Sequence, residues 1–319
     1  MYHFRNKNPQ GRFSKLQLLC IIGPTAVGKT DLSIQLAKII NGEIVSVDSR
    51  QIYKYMDIGT AKPTPEQMQE VPHHMVDCVL PDQDFSVADY QEGADEAIEE
   101  IARKGKTPIL VGGSGMYFRA VIDGLFDGPS ADRKFREKLK KEADKTGIYN
   151  LYHRMKSVDP EAAERIHPND LLRIIRALEV YEKTGKPISQ LQKQWENSKD
   201  RYESVIIGLN RPRDELYQRI EKRVDQMMEN GLLEEVKSLS RYSRNLRAMN
   251  CFGYKELFEY IDGKCPLDES IRLLKQNTRR YAKRQLTWFR KDKRIQWINI
   301  SNISRHDIIQ KILQKWNES

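Results

Sequence analysis

The sequence predicts an α/β protein in which a parallel sheet carries helices on both faces and an all-helical insertion is added, and three observations carry that prediction. Apolar runs of strand length, Leu18-Leu19-Cys20-Ile21-Ile22, Glu43-Ile44-Val45-Ser46-Val47 and Pro108-Ile109-Leu110-Val111-Gly112, alternate with amphipathic helical stretches. Near-continuous apolar strands of this kind belong to sheets buried on both faces. The first run leads directly into Gly23-Pro24-Thr25-Ala26-Val27-Gly28-Lys29-Thr30 and then into a helical segment, Asp31 to Ala37. From about Asp127 to residue 200 the strand pattern stops and charged helical segments take over. A chain of 319 residues has room for one large α/β domain and a smaller one. The expected division is an extension at 1–15, a core of 16–126 and 201–319 with a basic helical C-terminal part, and a helical insertion at 127–200.

Strand, glycine loop and helix in that order give the pattern G-x-x-x-x-G-K-[ST] its meaning and make the predicted core P-loop NTPase-like. Glycines let the backbone N–H groups between Gly23 and Thr30 curl round a phosphate oxygen, and the helix N-terminus adds partial positive charge. Lys29 supplies a full charge, and the Thr30 hydroxyl can hold a magnesium ion shared with the phosphates. A di- or triphosphate is expected there, and a nucleotide such as ATP satisfies the loop as well as a smaller diphosphate does.

The second strand ends in Asp48, at the edge where open parallel sheets bind ligands. A loop through Met56-Asp57-Ile58-Gly59-Thr60-Ala61-Lys62-Pro63 follows, then Pro72-His73-His74 leading to a short strand at Met75 to Cys78. Phe85 to Tyr90 reads as a capped helix start that continues from Ala94 to Lys104, and the third strand runs into the glycine turn Gly112-Gly113-Ser114-Gly115. The loop, Asp48 and Ser114 are therefore expected on one edge of the sheet. Within the insertion, Ile166 to Arg176 reads as a proline-started helix with Arg173 and Arg176 at i and i+3 on one face. Ser204 to Leu209 returns as a strand, Asp214 to Met228 is helical with Arg219 and Arg223 at i and i+4, and helices are expected to fill the remainder.

Charge is unevenly spread. Residues 241–319 hold 18 Lys and Arg against 8 Asp and Glu, an excess larger than the net charge of +9 for the whole chain. Arg279 to Lys291 interleaves cations with aromatics, as helices that bind polyanions do, although a solvated face over core aromatics has the same pattern. Cys20, Cys78, Cys251 and Cys265 stand far apart, which argues for reduced thiols and against a zinc site or a disulfide framework. The first apolar run is far too short to span a membrane, so a cytoplasmic protein without membrane contact is expected.

The motifs Gly23-Pro24-Thr25-Ala26-x-Gly28-Lys29-Thr30, Asp48-Ser49-x-Gln51-x-Tyr53, Met56 to Pro63, Val111-Gly112-Gly113-Ser114-Gly115-x-Tyr117, Ile166-His167-Pro168-Asn169-Asp170, Gly253-Tyr254 and Arg280-Tyr281-Ala282-Lys283-Arg284-Gln285-x-Thr287-Trp288 closely resemble the tRNA dimethylallyltransferase family, in order and spacing, from about residue 16 to 298. Ser114 stands where threonine is usual and Met116 where leucine is common. The C-terminal zinc finger of eukaryotic members has no counterpart, so the resemblance is to the bacterial type.

That resemblance implies transfer of a dimethylallyl group from dimethylallyl diphosphate to the exocyclic amine of the adenosine just 3′ of the tRNA anticodon; magnesium is the expected cofactor and a monomer the expected state. It implies catalytic roles for Asp48 and Thr25, Asp48 orienting the amine and taking its proton; a magnesium-ligand role for Asp48 stays open. Arg223 matches an arginine that grips the diphosphate, although an ion pair with Glu221 or Asp225 is open to it too. For the tRNA anticodon stem-loop the implied contacts are Asp48, Ser49, Arg50, Gln51, Ser114 and Arg136, then Leu172, Arg173, Ile174, Ile175 and Arg176, then Asn250, Cys251, Phe252, Gly253, Tyr254 and Lys255. A nucleotide or nucleoside kinase would share the loop without needing the basic C-terminus, and a non-catalytic RNA-binding protein would not need Lys29, Thr30 and Asp48 together.

Overall fold

The computed structural model describes residues 16–126, 128–193 and 201–318, so the extension expected at 1–15 lies outside the described residues. They form two compact units, one of 16–122 with 201–318 and one of 123–193. The helical unit thus begins at Asp123, slightly before the expected 127.

In the larger unit, β1 (Gln17–Ile22), β2 (Gly42–Val47), β3 (His73–His74), β4 (Thr107–Gly112), β5 (Glu203–Asn210) and β6 (Gln296–Asn299) make one parallel sheet in the order β3-β2-β4-β1-β5-β6. Residues on β1 alternate between two cores: Leu18, Cys20 and Ile22 pack on one face, Leu19 and Ile21 on the other. This is why the strand reads as one unbroken apolar run. Gly112 at the end of β4 lies opposite both Ile22 of β1 and Val47 of β2, so these strands finish level and the loops after them meet.

The helices of this unit are α1 (Lys29–Ile39), α2 (Pro65–Glu70), α3 (Val87–Arg103) and α4 (Gly115–Asp123) before the insertion. The second unit consists of α5 (Arg133–Thr146), α6 (Ile148–Val158), α7 (Pro160–Arg165), α8 (Leu171–Thr184) and α9 (Ile188–Gln192), packed round Leu151, Met155, Ile174 and Val180. After it come α10 (Arg213–Glu229), α11 (Leu232–Ser238), α12 (Tyr254–Ile261), α13 (Leu267–Phe289) and α14 (Arg305–Asn317).

Three local expectations are corrected and one unanticipated helix is added. The third-position strand is His73–His74, not Met75 to Cys78, because Met75 and Asp77 are left-handed (φ 61° and 54°) and cannot continue a pleat. Lys62 holds that bend by donating to Asp77 Oδ1 at 2.6 Å and to the Tyr53 carbonyl at 3.0 Å. Between the expected loop, which ends at Pro63, and Pro72 lies helix α2, where Thr64 and Gln67 form a capping box with Pro65 just inside it. The helix near 170 starts at Leu171, capped by the Asp170 side chain, and Pro168 sits in the turn before it. Finally, the C-terminal part is not all helix: β6 pairs with β5 at the sheet edge.

Candidate active site

Between β1 and α1 the chain folds into a tight loop. Gly23 has a positive φ of 152°, and a Cβ there would lie 2.7 Å from the Leu209 carbonyl oxygen, so the crossing over β5 demands glycine. Ala26 is left-handed at φ 62°, an uncommon state for a residue with a side chain. Two arginines brace it from outside: Arg219 Nε donates to the Ala26 carbonyl at 2.9 Å and Arg211 Nε to the Val27 carbonyl at 3.0 Å. Lys29 Nζ donates to the Gly23 and Pro24 carbonyls at 2.9 and 2.8 Å. The Thr25 N–H donates to Gln285 Oε1 at 2.9 Å.

The loop opens on a cavity of about 520 Å³ that Thr25, Lys29, Thr30, Asp48, Gln51 and Arg223 all line. The expected meeting of the loop with the end of β2 is therefore present. Its electrostatics are those of a crowded, desolvated site. Burial lowers the Lys29 pKa to about 7, with the Arg223 charge adding to the effect and Asp48 opposing it. Burial raises the Asp48 pKa, against the pull of the Arg50 and Gln51 backbone amides and of Lys29. The Arg50 N–H donates to Asp48 Oδ1 at 2.8 Å, which fixes the carboxylate's direction. Burial also lowers the Arg223 pKa.

The ion-pair alternative for Arg223 is overturned. Glu221 pairs with Arg279 and Asp225 with Lys275. Among the described residues no salt bridge engages Arg223, and the residue lines the cavity. A guanidinium in that setting is suited to an anionic guest.

Ser114 joins the site through its hydroxyl, which accepts the Ser49 N–H at 3.0 Å. Gln51 accepts from the Ser46 hydroxyl at 2.9 Å and donates to the Ala61 carbonyl at 3.1 Å. The segment carrying Ala61 is pinned by Glu235, whose carboxylate accepts the N–H groups of Asp57, Ile58 and Gly59 at 2.9, 2.7 and 3.0 Å. Tyr254 is buried and donates its hydroxyl to the same carboxylate at 2.6 Å, so it acts inside the scaffold. A smaller adjoining cavity of about 150 Å³ is lined by Asp48, Arg223, Cys251, Phe252, Gly253 and Tyr281. The rings of Phe252 and Tyr281 are 5.5 Å apart there. Arg50 also borders this cavity, while Asn250 and Lys255 are exposed.

In the helical unit the expected tRNA contacts separate into three kinds. Ile174 and Ile175 are buried in the unit's core and offer no surface. Arg136 binds the buried Glu179 through two hydrogen bonds of 2.7 Å, and Arg176 adds another at 2.5 Å. Leu172 and Arg173 stand in solvent, Leu172 at 72% exposure.

Among the described residues no group of three or more His, Cys, Asp or Glu could hold a metal ion, and no helix is long and apolar enough to cross a membrane. A hydroxyl such as Thr30's beside a phosphate loop suits magnesium shared with phosphate oxygens, which needs few protein ligands. All four cysteines are free. The sequence reading missed Arg211, Arg219, Tyr281, Glu235 and Gln285 as parts of the site. Tyr281 and Gln285 were legible as an i, i+4 pair aimed from one helix face.

A family model for IPP transferase matches residues 51–292. The chain is 50% identical over 286 residues to tRNA dimethylallyltransferase 2 of Geotalea uraniireducens, covering 89% of this chain and 92% of that one. It also resembles the solved tRNA isopentenylpyrophosphate transferase of Bacillus halodurans, with 44% identity, a TM-score of 0.70, and coverage of 95% and 97% of the two chains. A eukaryotic dimethylallyltransferase solved acting on tRNA superposes with a TM-score of 0.79 at 30% identity, over 94% of this chain and 77% of that one.

Proposed function

Because this chain belongs to the tRNA dimethylallyltransferase family, we propose that it transfers the dimethylallyl group of dimethylallyl diphosphate to the exocyclic amine of the adenosine 3′-adjacent to the tRNA anticodon, releasing diphosphate. The observation that carries the reading is the shared cavity, in which a phosphate loop, an arginine with no salt bridge among the described residues and a half-buried carboxylate face one space.

In the reaction, the amine nitrogen forms a bond to the allylic carbon while the carbon–oxygen bond to diphosphate breaks. The proton lost from nitrogen goes to Asp48, whose raised pKa makes it a better acceptor than an exposed aspartate. Charge growing on the departing diphosphate is offset by Lys29, Arg223 and the loop amides, held ready before the reaction begins. The Thr25 hydroxyl is assigned to the oxygen that leaves with the diphosphate. Magnesium, when bound, would be held by Thr30 and would neutralise part of the phosphate charge.

The adenine must leave its stack before its amine can enter, at a cost of about a few kcal/mol. The Phe252 and Tyr281 rings beside Asp48 support the smaller cavity as its receiving place. Ser49, Arg50, Gln51 and Ser114 would border the extruded nucleotide, and Arg173 would meet the phosphate backbone. The enzyme is proposed to act as a monomer in the cytoplasm.

The test is to incubate the protein with undermodified tRNA and dimethylallyl diphosphate, and separately with ATP, and to weigh the anticodon-loop nucleosides. A dimethylallyl-sized gain on that adenosine, without ATP, is expected. A gain that needs ATP hydrolysis, or no gain, would reject the reading.

A further inference from the structure

Helix α13 runs past the turn that follows β4 and places one buried carboxamide between two loops. Gln285 Oε1 accepts the Thr25 N–H at 2.9 Å, and Gln285 Nε2 donates to the Gly113 carbonyl at 2.9 Å. The residue is 7% exposed. A Cβ at position 113 would sit 2.2 Å from Nε2, so the turn leaves space for this side chain and for nothing more. A carboxamide presents an acceptor and a donor side by side: an ionised carboxylate would set an oxygen against the Gly113 carbonyl, and an aliphatic chain would leave both backbone groups without partners.

Because the Thr25 N–H is engaged by Gln285, Thr25 enters the site through its hydroxyl and not through its amide. The same bond fixes the backbone of Thr25, which lines the cavity. One turn earlier on α13, Tyr281 lines the same cavity, so the helix contributes both a wall of the site and the brace of its loop.

We propose that Gln285 is a positioning residue for group transfer: by bridging Thr25 and Gly113 it holds the threonine hydroxyl toward the oxygen that departs with the diphosphate. The proposal rests on the transferase reading given above. Orientation-dependent steps are sensitive to such a brace, since a shift of about 1 Å can slow them roughly 10²-fold.

Steady-state kinetics on Gln285→Leu, Thr25→Ala and the double variant decide it. Each single change is expected to lower kcat by roughly 10²-fold. The KM for dimethylallyl diphosphate should move less than about threefold. The double variant should be no slower than Thr25→Ala alone, because Gln285 acts through Thr25. Multiplicative losses in the double variant, or a loss confined to KM or to thermal stability, would overturn the proposal. If Gln285→Leu does not fold, Gln285→Glu enters the same cycle: it keeps the shape and the acceptor for Thr25 and loses the donor to Gly113. Wild-type transfer to tRNA is measured first. Its absence would reject the functional reading, whereas wild-type activity with multiplicative variants rejects Gln285 alone.

Discussion

Arg223 and Lys29 line one cavity, and the Arg223 charge helps, after burial, to push the Lys29 ammonium toward neutrality. A diphosphate would reverse the effect, because an adjacent anion favours the charged form. With a free-protein pKa of about 7, binding above that pH must take up a proton. The KM for dimethylallyl diphosphate should therefore rise by up to about tenfold per pH unit above neutrality. Calorimetry in buffers of different ionisation enthalpy should detect the proton uptake, and Arg223→Gln should move its onset to higher pH while raising KM. For folding the sign is as follows: between about 7 and the unfolded value of about 10.4 the unfolded chain holds the Lys29 proton more tightly, so this group's contribution to stability grows as pH rises through that window.

Asp48 is held by the Arg50 N–H and faces the phosphate loop. Asp48→Ala should lower kcat by roughly 10²- to 10⁴-fold, the usual range for a lost proton acceptor. The KM for dimethylallyl diphosphate should hardly move. A collapse of diphosphate affinity together with its magnesium dependence would assign Asp48 to the metal instead.

Glu235 is a single anchor for three successive amides. Glu235→Ala should free the loop at 57–61, which hydrogen exchange would report as lost protection there. Unmet buried groups of this sort destabilise by about 1–3 kcal/mol. Since the same loop accepts from Gln51, turnover on tRNA should fall while the KM for diphosphate changes little.

Arg173 and Arg176 lie one turn apart and should behave differently. Arg173→Ala should leave the melting temperature unchanged and reduce the salt slope of tRNA binding by about 1, as loss of one phosphate contact does. Arg176→Ala should destabilise the helical unit by about 1–3 kcal/mol, because it strips a partner from the buried Glu179. Equal effects on the salt slope would show that Arg176 leaves Glu179 to meet RNA.

Local pattern made much of this protein legible. The β1 run, the glycine loop and the Ser86 cap of α3 are each written within a dozen residues, and the structure has them where the pattern puts them. Strand β6 was not legible, because four residues with a single buried position, Ile298, carry too little periodicity after the charged stretch at Lys291 to Arg294. The braces of the site were hidden for a different reason. Thr25 and Gln285 are 260 positions apart, and Ala26 and Arg219 are 193 apart. Proximity over such separations is a product of strand order, which no window of sequence contains.

That strand order also governs when the protein can fold. Strand β1 is paired on one side by β4 and on the other by β5, at Leu19 with Ile109 and with Val205. During synthesis the central strand therefore waits, with one edge bare, until the whole helical unit has been made and residues up to Asn210 have emerged. Helix-rich segments with local contacts form quickly, and parallel pairing across long separations forms slowly. The insertion should thus be structured before the sheet is complete, and the phosphate loop, braced by Arg211, Arg219 and Gln285, should be among the last parts of the chain to take shape.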